Sequence, residues 1–230
     1  MNLLKKFLLH LWLSAGSKNQ QNIIDLCETD NNARFVDLGC DDGKWTMKVA
    51  KKINTKLVFG LDFSKKQLQK AGNLGIKTAK GDLNEILPYR SNFFAVVHSN
   101  QVIEHLVNTD NFVSEIYRIL KPGGYAIVST ENLSSWHNII ALILGWQAFS
   151  QHISKLYHIG NPFSPHYEKK LKSGWTHNII FTYFGLQKLF IKYGFIVEEV
   201  RGSGYYPLPN FFARLDPRHA HFITIKARKP

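Results

Sequence analysis

Three aspartates, Asp37, Asp62 and Asp82, each stand at or just beyond a short apolar run, and a glycine-bearing turn, Gly39-Cys40-Asp41-Asp42-Gly43, follows the first of them. An ionised carboxylate only accepts hydrogen bonds, so such groups at strand ends suit a ligand that offers hydroxyls or amino groups. Asp62 lies 25 residues after Asp37, where the acid of a dinucleotide fold takes both hydroxyls of a ribose. Asp82, 20 residues further on, is spaced to take the amino group of an adenine. The turn lets backbone approach a ligand closely, and the helix after it offers free N–H groups to a carboxylate or phosphate. Two nucleotide signatures fail here: the steps of G-x-G-x-x-G from Gly39 fall on Asp41 and Lys44, and no Gly-Lys-Ser/Thr follows. Singly, each aspartate reads equally well as a buried acid satisfied by loop amides or as a turn or cap residue. Jointly they argue for one ligand-binding edge.

The elements that would carry these groups alternate. Arg34 to Leu38 reads as a strand, Lys44 to Ile53 as a helix with Trp45, Val49 and Ile53 on one face, and Lys56 to Leu61 as a second strand. Ser64 caps a helix running to Asn73, and Ile76 to Ala79 makes a third strand. Phe93 to Val97 is a continuous apolar run, as for a central strand buried on both faces. Helical spacing through Phe112, Ile116 and Ile119 is closed by Pro122-Gly123-Gly124 before a fifth strand at Tyr125 to Thr130. This rhythm is that of parallel βαβ units, whose ligands bind at the carboxyl ends of the strands. After it come an apolar helix from Leu133 to Phe149, a loop-rich stretch from Ser150 to Thr176, a helix from Thr182 to Tyr193, and strands at Phe195 to Val200 and Ala220 to Ala227.

Five ordered segments give the chain its resemblance. Val36-Asp37-Leu38-Gly39-Cys40-x-x-Gly43, Gly60-Leu61-Asp62-Phe63-Ser64, Lys80-Gly81-Asp82-Leu83, Ser99 to Leu106, and Arg118 to Gly124 together resemble a class I S-adenosylmethionine-dependent methyltransferase of the broad small-molecule group. The resemblance implies an α/β fold: a Rossmann-like, doubly wound, mostly parallel seven-stranded sheet with an antiparallel last strand and an insertion after strand five. It implies one domain over residues 1–230, with N-terminal helices in 1–30, a cofactor-binding half in 33–131, a helical and loop insertion in 132–181 and a C-terminal helix with two strands in 182–230. It implies S-adenosyl-L-methionine as cofactor. Gly39 with its neighbours Asp37, Cys40, Asp41 and Gly43 would contact the methionine part, Asp62 the ribose, Asp82 and Leu83 the adenine, and Asn100 and Gln101 the region of the sulfonium, with Phe63 a further cofactor-binding residue. The family usually has glycine where this chain has Asp41; aspartate tolerates left-handed dihedrals better than most residues, and its carboxylate would lie near the cofactor's ammonium.

A sulfonium methyl group is already electrophilic, so acceleration comes mainly from holding the acceptor in line and excluding water. A hydroxyl acceptor still has to lose its proton, and histidine is the usual base. His105 follows the fourth strand, and His137 and His177 flank the insertion, which makes them the candidate bases, each weighed against a capping or surface role.

Composition bounds the acceptor. The 230 residues carry 29 Lys+Arg against 17 Asp+Glu, and from Gln151 onward 12 basic residues face 4 acidic ones. Such an excess suits an anionic partner. An RNA substrate is the lesser reading, because Ser99-Asn100-Gln101-Val102 lacks an Asn/Asp-Pro-Pro-aromatic run and neither cysteine follows a proline. A small-molecule, glycan or lipid acceptor, anionic and met at a membrane face, accounts for the apolar Trp136 to Trp146 segment as well as the charge. A solvated basic surface and a methyltransferase-like binding module without catalysis are the bland alternatives. Cys27 and Cys40 lack zinc or disulfide spacing, so no metal is expected and a reducing, cytoplasmic setting fits. Met1 to Ala15 has the outline of a signal peptide interrupted by His10; an amphipathic helix on the domain or on a membrane is the preferred reading.

Overall fold

The computed structural model describes residues 3–171 and 176–230, with side chains from residue 11 onward. The side chains of the Met1 to Ala15 segment before residue 11, and residues 172–175 of the loop-rich stretch, therefore lie outside what is described.

Seven strands form one sheet: β1 (Phe35–Leu38), β2 (Val58–Asp62), β3 (Lys77–Lys80), β4 (Phe94–Asn100), β5 (Leu120–Glu131), β6 (Ile196–Ser203) and β7 (Phe222–Arg228). Their order is β3-β2-β1-β4-β5-β7-β6, parallel except for β7, which runs antiparallel to both β5 and β6. The Rossmann-like sheet with one reversed strand is thus as expected. Chain order reverses between β1 and β4, so the carboxyl ends of these two strands open the crevice in which doubly wound sheets hold ligands.

Helices cover both faces because the buried strands alternate apolar side chains to either side. Val36, Leu38, Ala126 and Val128 pack with Phe112 and Ile116 of α4 (Thr109–Ile119) and with Leu186 and Phe190 of α6 (Tyr183–Lys192). Phe35, Tyr125 and Ile127 face the opposite layer, made by Ile23 and Leu26 of α1 (Leu3–Leu26), Val49 and Ile53 of α2 (Lys44–Ile53), and Leu68 and Ala71 of α3 (Lys65–Asn73). Burying each such side chain is worth roughly 1.5–3 kcal/mol. Side-chain caps fix three helix starts: Ser64 accepts from the Gln67 N–H, Asn108 from that of Asn111, and Thr182 from that of Gly185.

Several boundaries differ from the sequence expectation. Residues 1–30 hold one helix, α1, rather than several. The helix expected over Leu133 to Phe149 is only α5 (Trp136–Ile143); Gly145 takes φ 75° just beyond it, and Trp146 leaves the helical path to stack on Phe163 at 4.9 Å. Pro122 to Gly124 do not separate α4 from the fifth strand, because Leu120 already pairs with Phe94 and β5 begins there. Ala220 follows a short 3-10 turn (Pro217–His219), so the last strand starts at Phe222. A short helix α7 (Phe212–Leu215) precedes that turn. Among the described residues no helix is long and apolar enough to cross a membrane.

Candidate functional site

The turn after β1 is built for close approach. Gly39 has φ +84°, and a Cβ there would meet a Val102 methyl at 2.5 Å, so glycine brings this turn against the segment leaving β4. Gly43, the N-cap of α2 at φ +79°, is likewise confined by Ile76 and Ala71. Asp37 lies under the turn, buried. One of its oxygens accepts from Thr46 Oγ1 at 2.6 Å and the other is hydrogen-bonded to His98 Nδ1 at 2.7 Å. It braces the turn with both oxygens already engaged. Cys40 is buried against Gly60, and burial pushes its thiol up to about 12.

Asp62 ends β2 and is nearly buried. Its Oδ2 accepts from the Asp41 N–H at 3.0 Å and its Oδ1 from the Ser64 N–H at 2.9 Å, which aims the carboxylate and leaves lone pairs for two hydroxyls. Asp41 holds φ 46°, the left-handed region, and its carboxylate accepts from Gln67 Nε2. The remaining Gln67 oxygen is buried without a partner, an acceptor awaiting a donor beside this turn. Phe63 is 73% exposed next to Asp62, leaving its ring open to a flat apolar group. Asp82 accepts from the backbone and side-chain N–H groups of Asn84, whose own carbonyl oxygen receives Val107 N and Asn108 N; Leu83 beside it is buried in the core. A carboxylate with open lone pairs, an orphaned acceptor, an exposed ring and a glycine cradle fit S-adenosyl-L-methionine, with its ribose hydroxyls, ammonium and adenine.

At the end of β4, Gln101 has φ 56° and donates its N–H to Ser129 O. Asn100 accepts from Asn19 Nδ2 at 3.0 Å, and Asn19 Oδ1 in turn accepts from Ser129 Oγ and Thr224 Oγ1 at 2.9 and 2.7 Å. Asn19 was not among the expected site residues. The signal was present, since Asn19 occupies the apolar stripe of α1 one turn from both Ala15 and Ile23, all three buried.

The acceptor side collects the histidines. A 3-10 turn (Ile103–His105) follows β4, and the chain returning from the insertion docks on it: Asn178 N and Ile179 N donate to Glu104 O, and Asn178 Nδ2 donates to His105 O. This brings the His105 and His177 rings to 4.9 Å between centroids. His105 Nδ1 donates to Thr176 O at 3.0 Å and His177 Nδ1 to Ser150 O at 2.7 Å. Glu104 between them is wholly buried; Oε2 accepts from Thr130 Oγ1 at 2.9 Å while Oε1 has no partner. Burial pushes the Glu104 carboxyl up to about 8 and holds His105 below the usual imidazole range. His152 packs on His177 at 4.7 Å and accepts the His177 N–H, and burial takes it down to about 4. His137 is not part of this group. It is half-buried beside His221, Tyr206 and Phe149, and is linked to His177 through His221 and Glu131. Loss of solvent around the ring, reinforced by His221, holds its imidazole well below the usual range.

Five of the twelve basic residues of the last third have structural partners. Lys226 and Arg228 pair with Glu28 and Glu198, Arg201 with Asp25 and Glu199, and Arg218 with Asp216. Lys229 is buried, donating to Asn92, Tyr117 O and Leu120 O.

Residues 36–128 match a family described as a methyltransferase domain. The chain is 29% identical over 122 residues to the trans-aconitate 2-methyltransferase of Deinococcus radiodurans, covering 52% of this chain and 46% of that protein. It is 28% identical over 173 residues to the demethylmenaquinone methyltransferase of Lactiplantibacillus plantarum, covering 72% and 71% respectively. It thus spans about half the length of the first of these relatives. An S-adenosylmethionine-dependent methyltransferase from Mesorhizobium loti superposes with a TM-score of 0.63 at 18% identity, over 95% of this chain and all of that one, a likeness of fold.

Proposed function

We propose that the chain, whose residues 36–128 match a methyltransferase domain, is a class I S-adenosylmethionine-dependent methyltransferase that transfers the cofactor's methyl group to an oxygen of a small-molecule acceptor with an apolar portion. When bound, the cofactor supplies a sulfonium-activated methyl group. Asp62 would hold the ribose hydroxyls, the Asp41–Gln67 pair the ammonium, Phe63, Asp82 and Leu83 the adenine side, and Asn100 and Gln101 the sulfonium side.

The observation that carries this reading is the convergence of Glu104, His105 and His177 just beyond Gln101. A buried carboxyl and two oriented imidazoles beside the expected sulfonium position are what an oxygen acceptor needs, since its proton must leave as the methyl arrives. The insertion that carries His177 also leaves Ile143 (77%), Leu144 and Ile153 exposed, which supports an apolar portion of the acceptor. They suit a lipid-like or prenyl-like group, and a membrane surface where such acceptors reside.

Radiolabelled cofactor incubated with the protein and with separated lipid, glycan, small-metabolite and RNA fractions of a cell extract tests the proposal. Label in the lipid or small-metabolite fraction as a methyl ether or ester is expected. Label in RNA overturns it, and cofactor binding with label in no fraction favours a binding module.

A further inference from the structure

We propose that Glu104, His105 and His177 form a binding site for one divalent transition-metal cation. One ligand atom from each residue lies within 4.8 Å of the others. The two imidazoles are pre-set for coordination, because both donate Nδ1–H to a backbone carbonyl, of Thr176 and of Ser150, which fixes the tautomer and leaves each Nε2 lone pair free. The carboxylate makes an independent case. Glu104 is 0% exposed, Thr130 satisfies Oε2, and Oε1 is buried with no hydrogen-bond partner. An orphaned buried carboxylate oxygen is costly unless something positive or protic meets it. A cation between two imidazoles meets that need.

Metal–nitrogen and metal–oxygen bonds of about 2.0–2.2 Å would draw the three atoms together by about an ångström, within reach of side-chain rotation. Two imidazoles and one carboxylate select zinc-like first-row cations over magnesium, which prefers oxygen ligands in an octahedron. The outer contacts needed to hold such a site are already in place: Thr130 on Glu104, two carbonyls on the histidines, and the docking of 177–179 on the 3-10 turn. Three protein ligands leave coordination positions open, and an acceptor oxygen is the ligand they suit. That last assignment rests on the transfer reading above; the cation site itself does not.

Calorimetry of the untagged full chain with Zn²⁺ and with Mg²⁺, and absorption spectra with Co²⁺, test the site without any substrate. One saturable equivalent of Zn²⁺ is expected, with Mg²⁺ much weaker. Glu104→Gln and His177→Asn should each weaken Zn²⁺ by about 100-fold or more, since even outer-shell losses cost 10–100-fold. His177→Asn should also change the ligand-field bands of bound Co²⁺, with far-UV circular dichroism confirming that both variants are folded. Absence of saturable binding overturns the site, and so does unchanged affinity in both variants, which would put the ion on the neighbouring His152 and His158. Zn²⁺ binding with label in no acceptor fraction keeps the site and sinks the transfer reading; methyl transfer without Zn²⁺ binding does the reverse.

Discussion

Asp37 and His98 face each other across neighbouring parallel strands, and their 2.7 Å hydrogen bond is almost wholly buried. Thr46 at the start of α2 closes the other side of the same carboxylate, and Trp45 Nε1 reaches the far nitrogen of His98 at 3.4 Å. The first acid of the motif series thus ties β1, β4 and α2 together directly beneath the turn that would cradle the cofactor.

Asp37→Ala should therefore act on stability before it acts on binding. It leaves Thr46 and His98 without their buried partner, at a cost of about 3 kcal/mol. Thermal unfolding should drop by about 6–12 °C for a chain of this size. An unchanged melting temperature with lost cofactor binding would contradict the bracing role.

Asp62→Asn keeps the carboxylate's shape but loses its charge and half its acceptor capacity. Affinity for S-adenosylhomocysteine should fall by about 10–100-fold, the loss of one or two charge-assisted hydrogen bonds. Titration calorimetry measures it; equal affinity in the variant would mean that the ribose is held elsewhere.

Asp41→Gly removes a side chain from a left-handed position at φ 46°. Relief of about 1 kcal/mol is expected, less the hydrogen bond to Gln67, so the melting temperature should hold or rise by a few degrees. Cofactor affinity should fall by a few-fold if the Asp41 carboxylate meets the ammonium, and rise if it obstructs it. No change in either quantity would show the position to be indifferent.

Acid should loosen the C-terminal segment through Asp216. Burial pushes its carboxyl up, but hydrogen bonds from His219, Tyr205 and Arg218 outweigh this and hold it down to about 2. Because the folded value lies below the unfolded value of about 3.9, its contribution is whole above that value and is lost as pH falls through about 2. Urea unfolding of the wild type and Asp216→Asn across pH 2 to 6, as an approximate window, should show a gap that closes toward the acid end. A gap of constant size would sink this assignment. The same knot holds α5, since Trp136 Nε1 donates to Tyr205 and its ring stacks on His219 at 4.5 Å.

How much of this was legible depends on range along the chain. Ser64 and Thr182 announced their helices because a cap acts on an amide three residues away. Asp62 and Asp82 could be placed at or just beyond strand ends because their elements recur in a fixed order. The pairing of His105 with His177 was not, since a whole insertion lies between them and its path is set by contacts such as Asn138 with Ser150. His137 was grouped with them on its closeness to the insertion, yet α5 turns it toward His221. Part of the tail's charge was illegible for a related reason: Glu28, 198 residues before Lys226, is invisible as its partner in a local count of charge.

The knot at Asn19 has a consequence for the order of assembly. Its partners Asn100, Ser129 and Thr224 come from three different strands, the last of them 205 residues away. During synthesis α1 emerges before these strands, and the set of hydrogen bonds around its Asn19 amide is complete only when β7 has entered the sheet. Contacts of such sequence separation form late. The network behind Asn100 is therefore among the last parts of the molecule to be completed, and a nascent chain still lacking β7 has Asn19 without its Thr224 donor.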